Sequence, residues 1–214
     1  MRLFTAVYPS PQALHHLDLA LTGVGGPAVD DPGAGLRWVP AGQRHVTLSF
    51  HGEVPDGAVE GYVESLRREV GGLAPFDLSL AGSGSFGGRT LWVGLGGAVE
   101  RLRSLAAAVD AAAQETGLGG ADRAGGRAHL TVARASSSAA RAERGRARRS
   151  RRRDPGAPPV PSRLEDWARA LAVYRGPVWT VGAVRVVASE LGAGRSGGPA
   201  HSEVAAVPLD GHID

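Results

Sequence analysis

Residues 45–51 read HVTLSFH and residues 129–134 read HLTVAR, so His-x-Thr followed by an apolar residue occurs twice in the chain. In the first stretch Val46, Leu48 and Phe50 alternate with polar residues, which is the pattern of a half-buried β-strand. Side chains two residues apart on a strand share one face. Each stretch is therefore predicted to present an imidazole and a threonine hydroxyl together, with an apolar face behind them.

The elements around these stretches place the two motifs at roughly matching positions in two halves of the chain. Strands are predicted at residues 2–8, 36–40, 45–54, 74–88 (a strand followed by a glycine-rich turn within that range), 89–97, 127–135, 176–192 (bent at Gly182) and 203–209. Helices are predicted at residues 9–24, 55–72, 98–120 and 163–174, with loops or turns at 25–35 and 192–202. No long local identity indicates a recent duplication, so any symmetry between the halves is approximate.

Composition restricts the class of protein. A chain of 214 residues that is 43% hydrophobic is long enough for one large globular domain or two small lobes. Cysteine and lysine are both absent, which excludes disulfides, thiol catalysis, cysteine-held zinc, lysine nucleophiles and P-loop chemistry. No apolar stretch has the length of a membrane span, and the first apolar run is too short for a signal peptide. We expect a cytoplasmic protein.

The positive charge is concentrated in residues 141–153, RAERGRARRSRRR, which contain eight arginines and one glutamate. The whole chain has a net charge of +3 and this segment alone has +7, which leaves −4 for the remainder. Because residues 136–161 lack apolar periodicity, they are predicted to be a flexible, Arg-rich loop insertion. The loop either attracts RNA phosphates or is a tolerated insertion without a role.

The paired motifs suit phosphoryl chemistry if the two halves face each other. One imidazole, His45 or His129, takes a proton from the nucleophile while the other gives one to the leaving oxygen. The hydroxyls of Thr47 and Thr131 are suited to donate hydrogen bonds to phosphate oxygens. Arg134 follows the second motif and has a planar fork that fits phosphate, although strict alternation puts it on the face opposite His129.

The other histidines have simpler interpretations. His51 is predicted to share the face of His45 and to border the cleft. A metal site formed by His45 and His51 is an alternative, but no acidic cluster completes it. His15 and His16 are predicted to be surface or packing residues on a helix. His201 is predicted to lie in a turn and His212 in the tail.

Two His-x-Thr motifs with apolar flanks resemble the 2H phosphoesterase superfamily, and the wider context resembles its bacterial RNA 2′,3′-cyclic phosphodiesterases, historically called 2′-5′ RNA ligases. The resembling stretches cover nearly the whole chain in order: RLFTAVYPS, RWVPAGQRHVTLSFHGEV, FDLSLAGSGSFGG with TLWVGL, HLTVAR, and ASELGAG through EVAAVPL.

The resemblance implies an α+β, bilobal, pseudo-symmetric fold in which two small antiparallel sheets flank a central cleft with helices outside. Residues 1–214 would form a single domain of two intertwined lobes. The implied reaction is metal-independent hydrolysis of a terminal RNA 2′,3′-cyclic phosphate to a 2′-phosphate. His45 would protonate the leaving 3′ oxygen and His129 would activate water, in roles that are exchangeable. Thr47, Thr131 and Arg134 would hold the phosphate.

No metal or nucleotide cofactor is implied, and we expect a monomer whose partner is RNA with a cyclic phosphate end or a cyclic nucleotide. Two alternatives remain open. One is a non-catalytic module that binds RNA ends or nucleotides in the same cleft, although binding alone does not need two proton carriers. The other is a related enzyme that acts on a small cyclic nucleotide or a 2′-5′ linkage.

Overall fold

The computed structural model describes residues 1–24, 35–118, 127–154, 163–194 and 198–211. These residues form nine β-strands: β1 (Arg2–Val7), β2 (Leu36–Trp38), β3 (Val46–Glu53), β4 (Phe76–Phe86), β5 (Thr90–Gly97), β6 (Leu130–Ala135), β7 (Arg175–Val181), β8 (Ala183–Glu190) and β9 (Ala200–Pro208). They also form five α-helices: α1 (Pro11–Gly23), α2 (Val59–Gly71), α3 (Val99–Glu115), α4 (Ser137–Arg153) and α5 (Arg163–Ala170).

The nine strands form one sheet in the order β7-β4-β5-β6-β3-β1-β8-β9, with β2 paired to β6. All pairings are antiparallel, and one residue pair, Val46 with Leu130, joins β3 to β6. The sheet thus consists of two groups of strands that meet at the two motif strands. Each group contains strands from both halves of the sequence, because β8 and β9 lie beside β1 and β3, whereas β6 and β7 flank β4 and β5.

The helices cover one face of this sheet. Helices α2 and α3 pack on the β3 and β9 side, and α1 and α5 pack on the β4, β5 and β7 side. A continuous core lies between helices and strands, and its members are almost fully buried. On the opposite face, Phe4, Ala6 and Val187 form a separate small cluster together with Tyr8 and Phe50. The face without helices is therefore the floor of a cleft.

The predicted α+β architecture of antiparallel strands with helices is confirmed, and so are the four predicted helices. The two predicted sheets are joined into one by the pairing of Val46 with Leu130. The segment 176–192 differs from its prediction as one bent strand. It forms two strands, β7 and β8, which belong to opposite groups of the sheet and change over at Gly182. Strand length alone does not reveal such a crossover, because the partner strands are distant in sequence. The predicted loop at 25–35 lies outside the described residues except for Gly35.

The prediction of a flexible loop at 136–161 is wrong for its first part, because residues 137–153 form helix α4. The Ser136 hydroxyl caps this helix by accepting a hydrogen bond from the Ala139 amide at 3.2 Å. Arginine and alanine have high helix propensity, so a helix does not require an apolar face here. Residues 155–161 lie outside the described part of the chain. No helix in the described residues is long and apolar enough to cross a membrane.

Candidate active site

The two His-x-Thr strands lie side by side in the middle of the sheet. Val46 pairs with Leu130 in antiparallel register. Continued by one residue in each direction, this register sets His45 across from Thr131 and His129 across from Thr47. The fold therefore brings together all four motif residues that the sequence predicts, although the two motifs are far apart in the chain.

A β-bulge interrupts the alternation just after each motif. On β3, Leu48 and Ser49 are both buried, and the pairing with β1 shifts by one residue there. On β6, Val132 and Ala133 are both buried, and the pairing with β5 shifts at the same place. Each bulge adds one residue and so exchanges the faces of the residues that follow it.

The bulge on β6 brings Arg134 to the cleft face. Arg134 pairs with Thr90, is exposed, and its charge contributes to lowering the pKa of His45. The expectation from strict alternation, that Arg134 faces away from His129, is wrong because of the extra residue in the strand. The equivalent residue on β3 is Phe50, which pairs with Phe4 on the cleft face.

The bulge on β3 has the opposite effect on His51, and the prediction that His51 borders the cleft is wrong. His51 lies buried on the helix side, where its Nε2 atom is 3.1 Å from the Thr5 hydroxyl and its ring packs against Tyr62. Burial lowers its pKa. The metal site through His45 and His51 has no geometric support, and the described residues contain no group of three or more potential His or carboxylate ligands.

Both motif histidines are oriented by the same local hydrogen bond. His45 Nδ1 lies 2.7 Å from the carbonyl oxygen of Gln43, and His129 Nδ1 lies 2.9 Å from the carbonyl oxygen of Arg127. A carbonyl only accepts, so Nδ1 has to be the protonated donor in both rings. Each Nε2 is thereby available to a ligand in the cleft. It accepts a proton when the ring is neutral and donates one when the ring is charged.

His45 occupies an enclosed aromatic position. Its ring stacks on Phe4 with centroids 4.6 Å apart, and Tyr8 lies 5.6 Å away. Burial lowers the pKa of His45 to about 4, the Gln43 carbonyl opposes this shift, and the charges of His201, Arg134 and His129 reinforce it. In the free protein His45 is therefore neutral at pH 7.

His201 is a third imidazole in the cleft, and the prediction that it lies in a turn is wrong. It belongs to β9, where it pairs with Ser189, and its ring centroid is 5.5 Å from His45 and 5.1 Å from Phe4. Its Nδ1 is buried and has no hydrogen-bond partner among the described residues, and burial lowers its pKa. The sequence gives no local signal for this position, because it depends on the pairing of β8 with β1 and β9.

His129 lies in a more open position, beside aromatic residues of β4 and β5. Its ring centroid is 4.9 Å from that of Phe86 in an edge-to-face contact and 6.3 Å from that of Trp92, and Phe86 is 44% exposed. Arg127 lies over the Trp92 ring at 5.6 Å. Trp92 packs directly over Gly84 of the adjacent strand, where a β-carbon would overlap the indole. The two imidazoles thus have different surroundings within an approximately symmetric frame.

The threonine hydroxyls are available to a ligand. Thr47 and Thr131 are both partly exposed, and neither hydroxyl has a hydrogen-bond partner among the described residues. With Arg134 they supply hydrogen-bond donors and a positive charge beside two imidazoles. This arrangement is able to bind a phosphate group and to move protons on two sides of it.

Comparisons with known proteins agree with this geometry. The model of the 2′-5′ RNA ligase superfamily matches residues 27–165. An RNA 2′,3′-cyclic phosphodiesterase from Geobacillus stearothermophilus is 43% identical over 53 residues, which are 25% of this chain and 17% of that protein.

Solved structures resemble the whole chain. TT0787 of Thermus thermophilus aligns with a TM-score of 0.69 and 26% identity, and the alignment covers 100% of both chains. LigT of E. coli in its apo form aligns with a TM-score of 0.64 and 20% identity over 97% of this chain and 96% of its own, so it supports the fold alone. The chain belongs to the 2′-5′ RNA ligase superfamily, whose members are 2H phosphoesterases.

Proposed function

We propose that this protein hydrolyses a terminal RNA 2′,3′-cyclic phosphate to a 2′-phosphate, with His45 and His129 as the two proton carriers. The observation that supports this most directly is the pair of matching Nδ1–carbonyl hydrogen bonds. They hold two imidazoles with Nε2 available, next to two threonine hydroxyls without partners in the described residues. A site that only binds phosphate does not require two imidazoles held in this way.

The proposed reaction has one displacement at phosphorus. A water oxygen attacks the phosphorus atom and gives a proton to Nε2 of one histidine. The bond between phosphorus and the ribose O3′ breaks, and O3′ takes a proton from Nε2 of the other histidine. The products are a 2′-phosphate and a 3′-hydroxyl, and solvent then restores the two protonation states. Thr47, Thr131 and Arg134 bind the non-bridging oxygens, where negative charge is concentrated during the displacement.

The surroundings of His45 favour it as the base. A base must be deprotonated at the start, and a pKa of about 4 leaves His45 neutral at pH 7. As the acid, His45 would have to be protonated at the start, and protonating a group with a pKa of about 4 at pH 7 costs roughly 4 kcal/mol. The hydrogen bond of His129 is solvent exposed, whereas that of His45 is partly buried. We therefore assign water activation to His45 and protonation of O3′ to His129, the reverse of the roles that the resemblance implies.

The relatives add support of a coarser kind. The matching segment of the Geobacillus stearothermophilus protein belongs to an RNA 2′,3′-cyclic phosphodiesterase, and LigT of E. coli has been crystallised with 3′-AMP and with phosphate. The proposed substrate also contains a phosphate group and a nucleoside, as 3′-AMP does.

The test is hydrolysis of a short oligoribonucleotide that ends in a 2′,3′-cyclic phosphate, with EDTA present. Wild type is compared with His45→Ala, His129→Ala and the matched control His15→Ala, which removes an exposed histidine on α1. We expect each cleft variant to lose about 10²–10⁴-fold in rate, the usual contribution of a general acid or base, while the control keeps wild-type activity. The product is identified against 2′-phosphate and 3′-phosphate standards.

The same experiment separates the alternatives. Wild type without activity on any cyclic phosphate, but with affinity for the RNA end, would support a binding module. Cleft variants as active as wild type would refute the assignment of both histidines. Hydrolysis of 2′,3′-cyclic AMP at the same rate as the oligonucleotide would indicate a small-nucleotide enzyme.

A further inference from the structure

A band of exposed arginines continues from the cleft onto helix α4. At the end of β6, Arg134 is flanked by Arg37 of β2, its direct cross-strand partner, and by Arg89, whose carbonyl accepts a hydrogen bond from the Ala135 amide at 2.8 Å. Further exposed arginines follow on the helix, among them these five: Arg141, Arg148, Arg149, Arg152 and Arg153. The band thus runs from the end of β6 and its two neighbouring arginines onto the helix that begins two residues after the strand.

These arginines have no acidic partner among the described residues. None of the eight forms an ion pair with a carboxylate of the described residues. Elsewhere six arginines are paired with acidic residues: Arg2, Arg44, Arg68, Arg103, Arg169 and Arg185.

The band costs stability in the absence of an anion. Like charges directly opposite on neighbouring strands, as in Arg37 and Arg134, are destabilising. Like charges three or four residues apart on a helix, as in Arg148 with Arg152, are unfavourable by about 0.2–0.5 kcal/mol per pair. A polyanion bound along the band would remove these repulsions.

The spacing on α4 fits an extended ligand. Arg141, Arg148, Arg149 and Arg152 lie at positions i, i+7, i+8 and i+11, so they share one face of the helix. The buried residue Ala140 lies on a different face. From Arg141 to Arg152 the helix rises about 16 Å, the length of roughly five stacked nucleotides. The same face has no large apolar side chain, which is unfavourable for insertion into a lipid surface.

We propose that this arginine band binds the phosphate backbone of the RNA strand upstream of the terminal nucleotide in the cleft. The proposal rests on the proposed function for the position of the RNA end, and it adds that the preferred substrate is an oligonucleotide rather than a mononucleotide. Arg134 connects the two sites, because it faces the cleft and is also the first arginine of the band.

The test combines Arg141→Gln, Arg148→Gln, Arg149→Gln and Arg152→Gln in one variant. Glutamine has a helix propensity close to that of arginine, and circular dichroism checks that the helix content is unchanged. The matched control is Arg67→Gln with Arg175→Gln, two exposed arginines on α2 and β7 outside the band and without ion pairs in the described residues. Binding of a fluorescein-labelled RNA of about 12 nucleotides ending in a 2′-phosphate is measured by anisotropy from about 50 to 200 mM salt.

Four phosphate contacts on a single strand correspond to a salt slope of about −2.8, or about 50-fold in affinity between 50 and 200 mM salt. We expect the α4 variant to bind the RNA at least tenfold more weakly at the low-salt end and to lose most of that slope. Its kcat/KM for 2′,3′-cyclic AMP should stay within twofold of wild type, and the control should match wild type in both assays.

The outcomes distinguish this proposal from the proposed function. Equal RNA affinity and equal salt slope in the α4 variant and the control would overturn the arginine band, whatever the hydrolytic activity. Weaker RNA binding by the α4 variant would support the band even if wild type hydrolyses no cyclic phosphate, and only the proposed function would then fail. Binding to phosphatidylserine vesicles that depends on the four arginines, with RNA binding unchanged, would overturn the proposal and show that the band binds a membrane instead.

Discussion

The pH dependence of hydrolysis is the sharpest test of the His45 environment. The ring is stacked on Phe4 and faces Tyr8, His201, His129 and Arg134, while the Arg185–Glu203 ion pair at 3.1 Å lies beyond Tyr8. Burial, reinforced by the nearby positive charges, lowers the pKa of His45 to about 4. As a base His45 is active when deprotonated, so activity should be present above pH 4 and lost as the pH falls through that value.

The size of the effect separates this environment from an ordinary imidazole. With a pKa of about 4, the deprotonated fraction of His45, and with it the contribution of the base to kcat/KM, should fall by only about 1.1-fold between pH 7 and pH 5. A base with the unperturbed histidine pKa of about 6.5 would lose about 25-fold over the same interval. The measurement is kcat/KM for an oligonucleotide cyclic phosphate from about pH 3.5 to pH 8, because kcat/KM reports the free enzyme.

A variant links the profile to its structural cause. Phe4→Leu removes the stacked ring and admits water, so the pKa of His45 and the acid limb of the profile should both move upward. NMR titration of the imidazole follows the same shift without turnover. An acid limb at the ordinary histidine pKa of about 6.5 in wild type would refute the burial argument. An NMR titration that finds the His45 imidazole protonated at pH 7 would instead support His45 as the acid.

Three further predictions concern individual side chains. Thr131→Val keeps the shape of the side chain but removes a hydrogen-bond donor to the charged phosphate. We therefore expect kcat/KM to fall by about 10–150-fold with an unchanged melting temperature. A kcat/KM within threefold of wild type would contradict phosphate binding by this hydroxyl. Asp18→Asn leaves the buried Arg44 guanidinium without its carboxylate partner and should lower the free energy of unfolding by about 1.5–3 kcal/mol in urea titrations; an unchanged urea midpoint would contradict a stabilising ion pair. Gly84→Ala places a methyl group against the Trp92 indole. This overlap should lower the free energy of unfolding by about 1–3 kcal/mol and slow hydrolysis. A urea midpoint equal to that of wild type would refute the close contact.

Much of the site can be predicted from residue patterns alone. His45 with Thr47 and His129 with Thr131 share strand faces because the side-chain period of a strand is two, and this local rule holds between each histidine and its threonine. The four predicted helices follow from apolar spacing and from the proline or glycine at their ends. The arginine-rich segment is instead predicted to be a loop, because the helix it forms has almost no apolar face to produce a periodic signal.

The remaining features depend on contacts between residues that are distant in sequence. The bulges that turn Arg134 toward the cleft and His51 away from it are defined by pairing with β5 and β1, and no local pattern encodes the extra residue. His201 reaches His45 only because the chain crosses at Gly182 to the far group of strands and returns in β9. Local strand periodicity, which can be read from the residues, places each histidine on the same face as its threonine. Pairing between distant strands places the side chains around them, and therefore leaves one imidazole buried and neutral.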